Sequence, residues 1–240
     1  MKKQRLDDFL IENSHAADKR EAFIIVTEGR VFVEGQKAIS PAQMILPSML
    51  IKVKKPPAYV GRAAYKLDGA LKAFEVDVKG MVCIDIGAAT GGFTQVALER
   101  GAVKVYAVDT AKGKLALKLR EDPRVVVMEG TDIRHLEELP ELADIATIDI
   151  SLISLEDILP HAKRLIKPGG VVVALFKPQY EVRDPAMLRH GIVKDDASRE
   201  QLLAGFTAWL DENGWKIEGK IESPIRGSEG NVEYLFKLRP

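Results

Sequence analysis

The chain has a single cysteine, Cys83, which excludes an internal disulfide and a cysteine-rich metal site. It lies within an apolar run and reads as an inert core residue. Histidines are also few: His15, His135, His161 and His190 are scattered, read as structural or surface residues, and offer no metal cluster. No apolar run approaches the ~20 residues that a membrane span needs. The basic start, Met1-Lys2-Lys3-Gln4-Arg5, is not followed by the apolar stretch of a signal peptide. Internal repeats and low-complexity tracts are lacking, and so is net charge, with 35 Lys+Arg against 35 Asp+Glu. These absences lead to the expectation of a cytoplasmic protein with no membrane segment and no bound metal, taken as a monomer.

The remaining composition is that of an ordinary soluble protein, 46% hydrophobic and 29% charged over 240 residues, enough for one large domain or a moderate domain plus a small one. The charge is segregated. Residues 1–60 hold 10 Lys+Arg and 7 Asp+Glu, and the remainder holds 25 and 28. A small basic module therefore precedes a slightly acidic body.

The stretch Val82-Cys83-Ile84-Asp85-Ile86-Gly87-Ala88-Ala89-Thr90-Gly91-Gly92-Phe93 organises the body. Its apolar run, broken by one carboxylate, reads as a parallel strand buried on both faces. The glycines allow a tight turn and close approach to a ligand, and Phe93 to Arg100 resumes at helical spacing. Such a strand–loop–helix crossing binds nucleotides in doubly wound sheets. The glycine spacing is not the dinucleotide pattern G-x-G-x-x-G. With Asp85 before the first glycine, it resembles the first motif of S-adenosylmethionine-dependent methyltransferases. That resemblance implies a cofactor site at Asp85, Gly87, Ala88, Gly91, Gly92 and Phe93.

Before this stretch, the pattern predicts a short helix at Arg5–Asn13 and a second, opened by Asp18 and Glu21 as a capping box, running to Glu28. Strands follow near Val31–Val33 and Met49–Val53. This small α+β domain, residues 1–55, would have a marginal core alone. Its stretches Arg5-Leu6-Asp7, Asp18-Lys19-Arg20-Glu21-Ala22 and Gly29-Arg30-Val31-Phe32-Val33-Glu34-Gly35 resemble the alpha-L (S-four-type) RNA-binding module. Lys19 replaces the usual arginine, and Glu34 a common asparagine. Lys3, Arg5, Lys19, Arg20, Arg30 and Lys37 are the candidate phosphate contacts. A proline-stiffened linker occupies residues 56–60.

Residues 61–240 then alternate. Helices are expected at Arg62–Phe74, Lys114–Leu119 and Leu155–Ile166. Strands are expected at Val103–Val108, Val125–Met128, Ile145–Ile150 and Val171–Phe176. A helix opened by Asp195 or Ser198 and two final strands, Trp215–Ile221 and Val232–Leu238, complete an α/β, Rossmann-like sheet. Asp109, ending the second strand, is placed to accept hydrogen bonds from ribose hydroxyls, and Asp132 lies after the third, near the adenine.

Four residues resist a purely structural explanation. Lys177 ends an apolar strand, Glu233 interrupts another, Asp149 ends the fourth strand and Lys66 lies on the helix before the sheet. An isolated buried ammonium is very costly, so the lysines need carboxylate partners or a cleft. Lys66, Asp149, Lys177 and Glu233, in that order, resemble the Lys-Asp-Lys-Glu tetrad of the FtsJ-like ribose 2'-O-methyltransferases. The stretches Asp85–Phe93, Asp149-Ile-Ser-Leu-Ile-Ser-Leu155, Lys177-Pro-Gln-Tyr-Glu-Val182 and Gly230-Asn-Val-Glu-Tyr-Leu235 resemble the TlyA (haemolysin A-like) branch. Ala89, Leu152 and Tyr59 depart from its usual serine, phenylalanine and tryptophan. The resemblance implies methylation of a ribose 2'-hydroxyl in ribosomal RNA, free or within ribosomal subunits. Lys177 would be the general base, acting from its neutral fraction, with Asp149 orienting it and Lys66 and Glu233 positioning the ribose. The rival readings are an RNA-binding protein of the same fold without catalysis, and a haemolysin.

Overall fold

The computed structural model describes residues 3–55 and 58–240, in two compact units that divide between Ala58 and Tyr59. The expected linker at 56–60 falls partly on residues 56 and 57, outside the described residues.

In the first unit, β1 (Gln4–Arg5) pairs antiparallel with β4 (Met44–Ile45), and β2 (Val31–Val33) lies between β3 (Gln36–Lys37) and β5 (Ile51–Val53). Helices α1 (Leu6–Glu12) and α2 (Lys19–Thr27) cover a core of Leu6, Leu10, Ala22, Ile25, Val31 and Ile45. Helix α2 starts where Asp18 accepts the Glu21 amide at 2.8 Å, while the Glu21 carboxylate reaches back to the Ala17 amide at 2.6 Å. This is a capping box displaced by one residue. Glu34 turns the β2–β3 hairpin with φ +50° and accepts the Leu50 amide at 2.6 Å, so its charge is used inside the module.

The second unit runs α3 (Ala63–Ala73), β6 (Val82–Ile86), α4 (Gly92–Glu99), β7 (Lys104–Asp109), α5 (Leu117–Arg120), β8 (Val125–Glu129), β9 (Ala143–Ile148), α6 (Leu155–Leu165) and β10 (Ile166–Phe176). A short hairpin, β11 (Leu188–Arg189) and β12 (Ile192–Val193), precedes α7 (Asp196–Glu212), β13 (Lys216–Glu222) and β14 (Tyr234–Arg239). The sheet order is β13-β14-β10-β9-β6-β7-β8. Strands β6 to β10 are parallel, and β14 inserts antiparallel between β10 and β13. This is the expected Rossmann-like α/β sheet. The chain moves outward from β6 through β7 to β8, then returns to the other side of β6 as β9. A crevice is therefore left at the carboxyl ends of β6 and β9, the switch point where such sheets bind ligands.

Alternating strand residues face two cores. Ile84, Ile86, Val172, Ala174 and Phe176 pack under α6 and α7. Cys83, Val105, Val173 and Leu175 pack under α3 and α4. Phe206 of α7 stacks on Phe176 at 4.7 Å between centroids and meets Phe236 edge-on at 5.3 Å.

Several elements differ from expectation, β10 among them, which starts at Ile166 rather than Val171. The helix expected from Lys114 begins only at Leu117, because the Glu129 carboxylate captures the amides of Gly113, Lys114 and Leu115 at 2.8–3.0 Å. The strand expected through Ile150 stops at Ile148, leaving Asp149 in the following loop. Strand β14 begins at Tyr234, so Glu233 stands just before the ladder.

Candidate active site

At the end of β6 the backbone turns through Gly87, with φ +87°. A Cβ here would lie 2.4 Å from the Asp149 carbonyl oxygen, so glycine alone lets the β6 and β9 ends close together. The Asp149 amide donates to the Ile86 carbonyl at 3.0 Å across that junction. A Cβ on Gly92 would meet the Ala64 backbone nitrogen at 2.9 Å, which explains the close packing of α4 on α3 and fixes the helix that carries Lys66.

One cleft of about 270 Å³ lies on the β7 side of the crevice. Its walls include Ile86, Val108, Ile133, Ile150 and Ile158, and Asp109 and Asp132 supply carboxylates. Asp109 accepts the Ala89 amide at 2.8 Å and the Ala111 amide at 2.7 Å, clamping the glycine loop. Asp132 forms a forked pair with Arg134 and accepts its amide at 2.9 Å, and these bonds hold its carboxyl at about 2. An apolar slot edged by carboxylate acceptors suits a purine with its ribose hydroxyls, so the lining fits an adenosyl cofactor.

A second cleft of about 260 Å³ shares Gly87, Ala89, Asp149 and Ser151 with the first. It brings together all four tetrad candidates. Lys66 pairs with Glu233 at 2.5 Å, and Lys177 with Asp149 at 2.6 Å. All four side chains are largely withdrawn from water. Lys177 also donates to the Ser151 hydroxyl at 3.0 Å and stands 5.7 Å from the Tyr180 ring centre. The Gln179 amide reaches Glu233 at 3.5 Å. The segment after Lys177 is tied down by Glu181, which accepts the Leu155 amide at 2.9 Å and the Ser154 hydroxyl. Burial raises the Glu181 carboxyl.

Gly87, Ala88, Gly92 and Phe93 line the second cleft, whereas Asp85 and Gly91 line neither. Asp85 is 1% exposed and accepts hydroxyls from Thr94 at 2.6 Å and Thr147 at 3.3 Å. Burial pushes its carboxyl up to about 7, opposed by the Thr94 bond and reinforced by the charge of Asp149. Gly91 has φ +93°, and a Cβ there would meet Leu119 and Leu115, so it serves packing against α5. Two residues before Asp85, the Cys83 thiol is buried and pushed up to about 12, first by desolvation and then by Asp85 and Asp144.

The six basic candidates Lys3, Arg5, Lys19, Arg20, Arg30 and Lys37 belong to the first unit. Several have local partners: Arg5 forks onto Asp7, Lys19 lies 3.3 Å from Asp8, and Arg30 meets Glu28 and the Lys54 carbonyl at 3.1 Å each. Sequence reasoning missed Ser151, Gln179, Arg62 and Arg226, all of which line the second cleft. Ser151 and Gln179 each follow a tetrad member by two residues, a proximity that could have marked them. Arg226 lies in a loop with no periodicity to read.

The FtsJ-like methyltransferase family model matches residues 59–239. The 16S/23S rRNA (cytidine-2'-O)-methyltransferase TlyA of Mycobacterium tuberculosis is 38% identical over 242 residues, covering 99% of this chain and 90% of that protein. A solved structure named a hemolysin, from Streptococcus thermophilus, superposes with a TM-score of 0.74 at 38% identity, covering 99% of this chain and 88% of that one. An S-adenosylmethionine-dependent methyltransferase from Mesorhizobium loti shares the fold, with a TM-score of 0.53 at 19% identity over 72% of this chain and 96% of that one.

Proposed function

The chain belongs to the FtsJ-like methyltransferase family, and from that premise we propose that it methylates a ribose 2'-hydroxyl of ribosomal RNA with S-adenosylmethionine. One observation carries the reading: two withdrawn lysine–carboxylate pairs share a cleft that opens, at Gly87 and Asp149, onto the apolar slot edged by Asp109 and Asp132.

The cofactor, held along Asp109, Asp132 and the Gly87–Phe93 loop, supplies when bound a methyl group carried on a positively charged sulfur. A ribose hydroxyl is a weak nucleophile and must lose its proton as the new bond forms. Lys177, as the free amine, accepts that proton. Asp149 and Ser151 accept hydrogen bonds from its nitrogen and so fix where that nitrogen sits. Lys66, held by Glu233, orients the ribose and stabilises negative charge developing on its oxygen. Positioning of this kind lowers a barrier by roughly 7–11 kcal/mol at most. The first unit, with its basic residues, supplies affinity for the RNA backbone. A silent RNA-binding role is disfavoured, since both pairs and the slot are intact. Among the described residues no helix is long and apolar enough to cross a membrane.

The test is single-turnover transfer of labelled methyl to ribosomal RNA, followed by nucleoside digestion. The label should appear on a ribose, and Lys177→Arg should abolish transfer while retaining cofactor and RNA binding, because arginine keeps the charge but cannot be deprotonated. An active arginine variant would remove Lys177 as the base. Label on a base atom would remove the 2'-hydroxyl assignment.

A further inference from the structure

An internal nucleotide carries its 2'-hydroxyl on the carbon adjacent to the one bearing the 3'-phosphodiester. Any cleft that brings that hydroxyl to Lys177 must therefore also accommodate a phosphate. The cations at the cleft floor are already engaged, Lys66 by Glu233 and Lys177 by Asp149. Two further cations line the same cleft, Arg62 before α3 and Arg226 in the loop between β13 and β14. Among the described residues Arg62 has no carboxylate partner; its guanidinium donates to the Arg226 carbonyl at 3.1 Å and is otherwise exposed. Among the described residues the Arg226 side chain has only a loose contact with Glu222, at 3.6 Å, both side chains more than half exposed. Exposed pairs of this kind contribute little and exchange readily for a better anion.

The paired floor is neutral, so the two arginines leave the cleft with a surplus of positive charge. Ser228 also lines the cleft. Guanidinium groups match phosphate oxygens with forked hydrogen bonds, and phosphate contacts set register without reading sequence. We infer that Arg62 and Arg226 bind the phosphodiester flanking the acceptor ribose and so seat the 2'-hydroxyl at Lys177. The inference rests on ribose being the acceptor. It adds a phosphate site in the second unit, separate from the backbone affinity assigned to the first.

The experiment uses the full chain with purified small and large ribosomal subunits, labelled S-adenosylmethionine and fixed magnesium. The variants are Arg62→Gln, which keeps a donor for the Arg226 carbonyl but loses the charge, and Arg226→Ala, which keeps that carbonyl. Each should raise KM for the RNA substrate by roughly ten- to a hundredfold, with the loss falling on KM rather than kcat. Each should also reduce the slope of log KM against log salt by about 0.7 between about 50 and 200 mM, the value for one contact to single-stranded RNA. The double variant should lose twice that slope, with cofactor affinity by calorimetry unchanged. An unchanged salt slope with reduced kcat would show that Arg62 merely pins the loop, and would overturn the proposal. Unchanged KM in both variants would overturn it equally. Failure of the broader reading is distinguishable in the same samples, because wild-type product would then carry its label on a base.

Discussion

Asp85→Asn isolates a group that is buried without a charged partner. The wild-type carboxyl accepts two hydroxyl hydrogen bonds and is pushed by burial from its ordinary 3.8 to about 7. Between those values the folded protein retains a proton that the unfolded chain has released. Stability from this group is thus greatest at low pH, falls as pH rises from about 4 to about 7, and is level above. Each unit of displacement is worth about 1.4 kcal/mol, so the full cost of ionised Asp85 is on the order of 4 kcal/mol, of which about 3 kcal/mol develops above pH 5. Asparagine removes this dependence while keeping shape: its oxygen can accept from Thr94, and its amide can donate to the Thr147 hydroxyl. Urea unfolding should be followed by tryptophan fluorescence at pH 5 and pH 8, since Trp209 and Trp215 both lie in the second unit. The stability of Asp85→Asn relative to wild type should improve by about 3 kcal/mol between the two pH values. A difference independent of pH, or one that worsens at pH 8, would refute the burial argument.

Gly87→Ala should abolish cofactor binding measured by calorimetry and lower the thermal midpoint. The positive φ alone costs about 1–3 kcal/mol, and the added Cβ would press on the Asp149 carbonyl; normal binding would show that the junction yields. Glu129→Gln leaves one oxygen to serve three backbone amides and Arg120. Hydrogen exchange at Gly113, Lys114 and Leu115 should accelerate while β6 stays protected, and equal protection would discount the capture of the loop by Glu129. Phe206→Ala removes the ring between Phe176 and Phe236 and should cost about 3–5 kcal/mol in urea unfolding; a loss below about 1 kcal/mol would mean that the cavity collapses.

The parts legible in sequence were those in which local pattern and global position agree. The apolar run ending at Gly87 gave β6 and its turn, and the alternation that followed gave the sheet. The pairing of the tetrad candidates was legible because a lysine or carboxylate next to an apolar segment demands a partner, even one 167 residues away, as Glu233 is for Lys66. What escaped was decided by side chains acting on distant backbone. Nothing near Lys114 announces that Glu129 will take its amide, and α5 shrank accordingly. Asp85 was legible as an acid beside the loop, but not as one satisfied inside the fold: strand alternation sets its direction, and the hydroxyls it meets there, Thr94 of α4 and Thr147 of β9, are known only once those elements are packed around it. The exposed arginines of the second cleft sit on no periodic face and became visible only when the β13–β14 loop was placed beside α3.

The buried position of Cys83 makes the chain a ready background for site-directed spectroscopy. Its thiol is inaccessible and held protonated at neutral pH by burial, so maleimide or nitroxide reagents will pass it over in the folded protein. A cysteine introduced on the surface of either unit would then be the sole attachment point. A pair, one at Phe23 and one at Leu152, both exposed, would report the separation of the two units in solution, and its change when RNA is added, without first removing the native thiol.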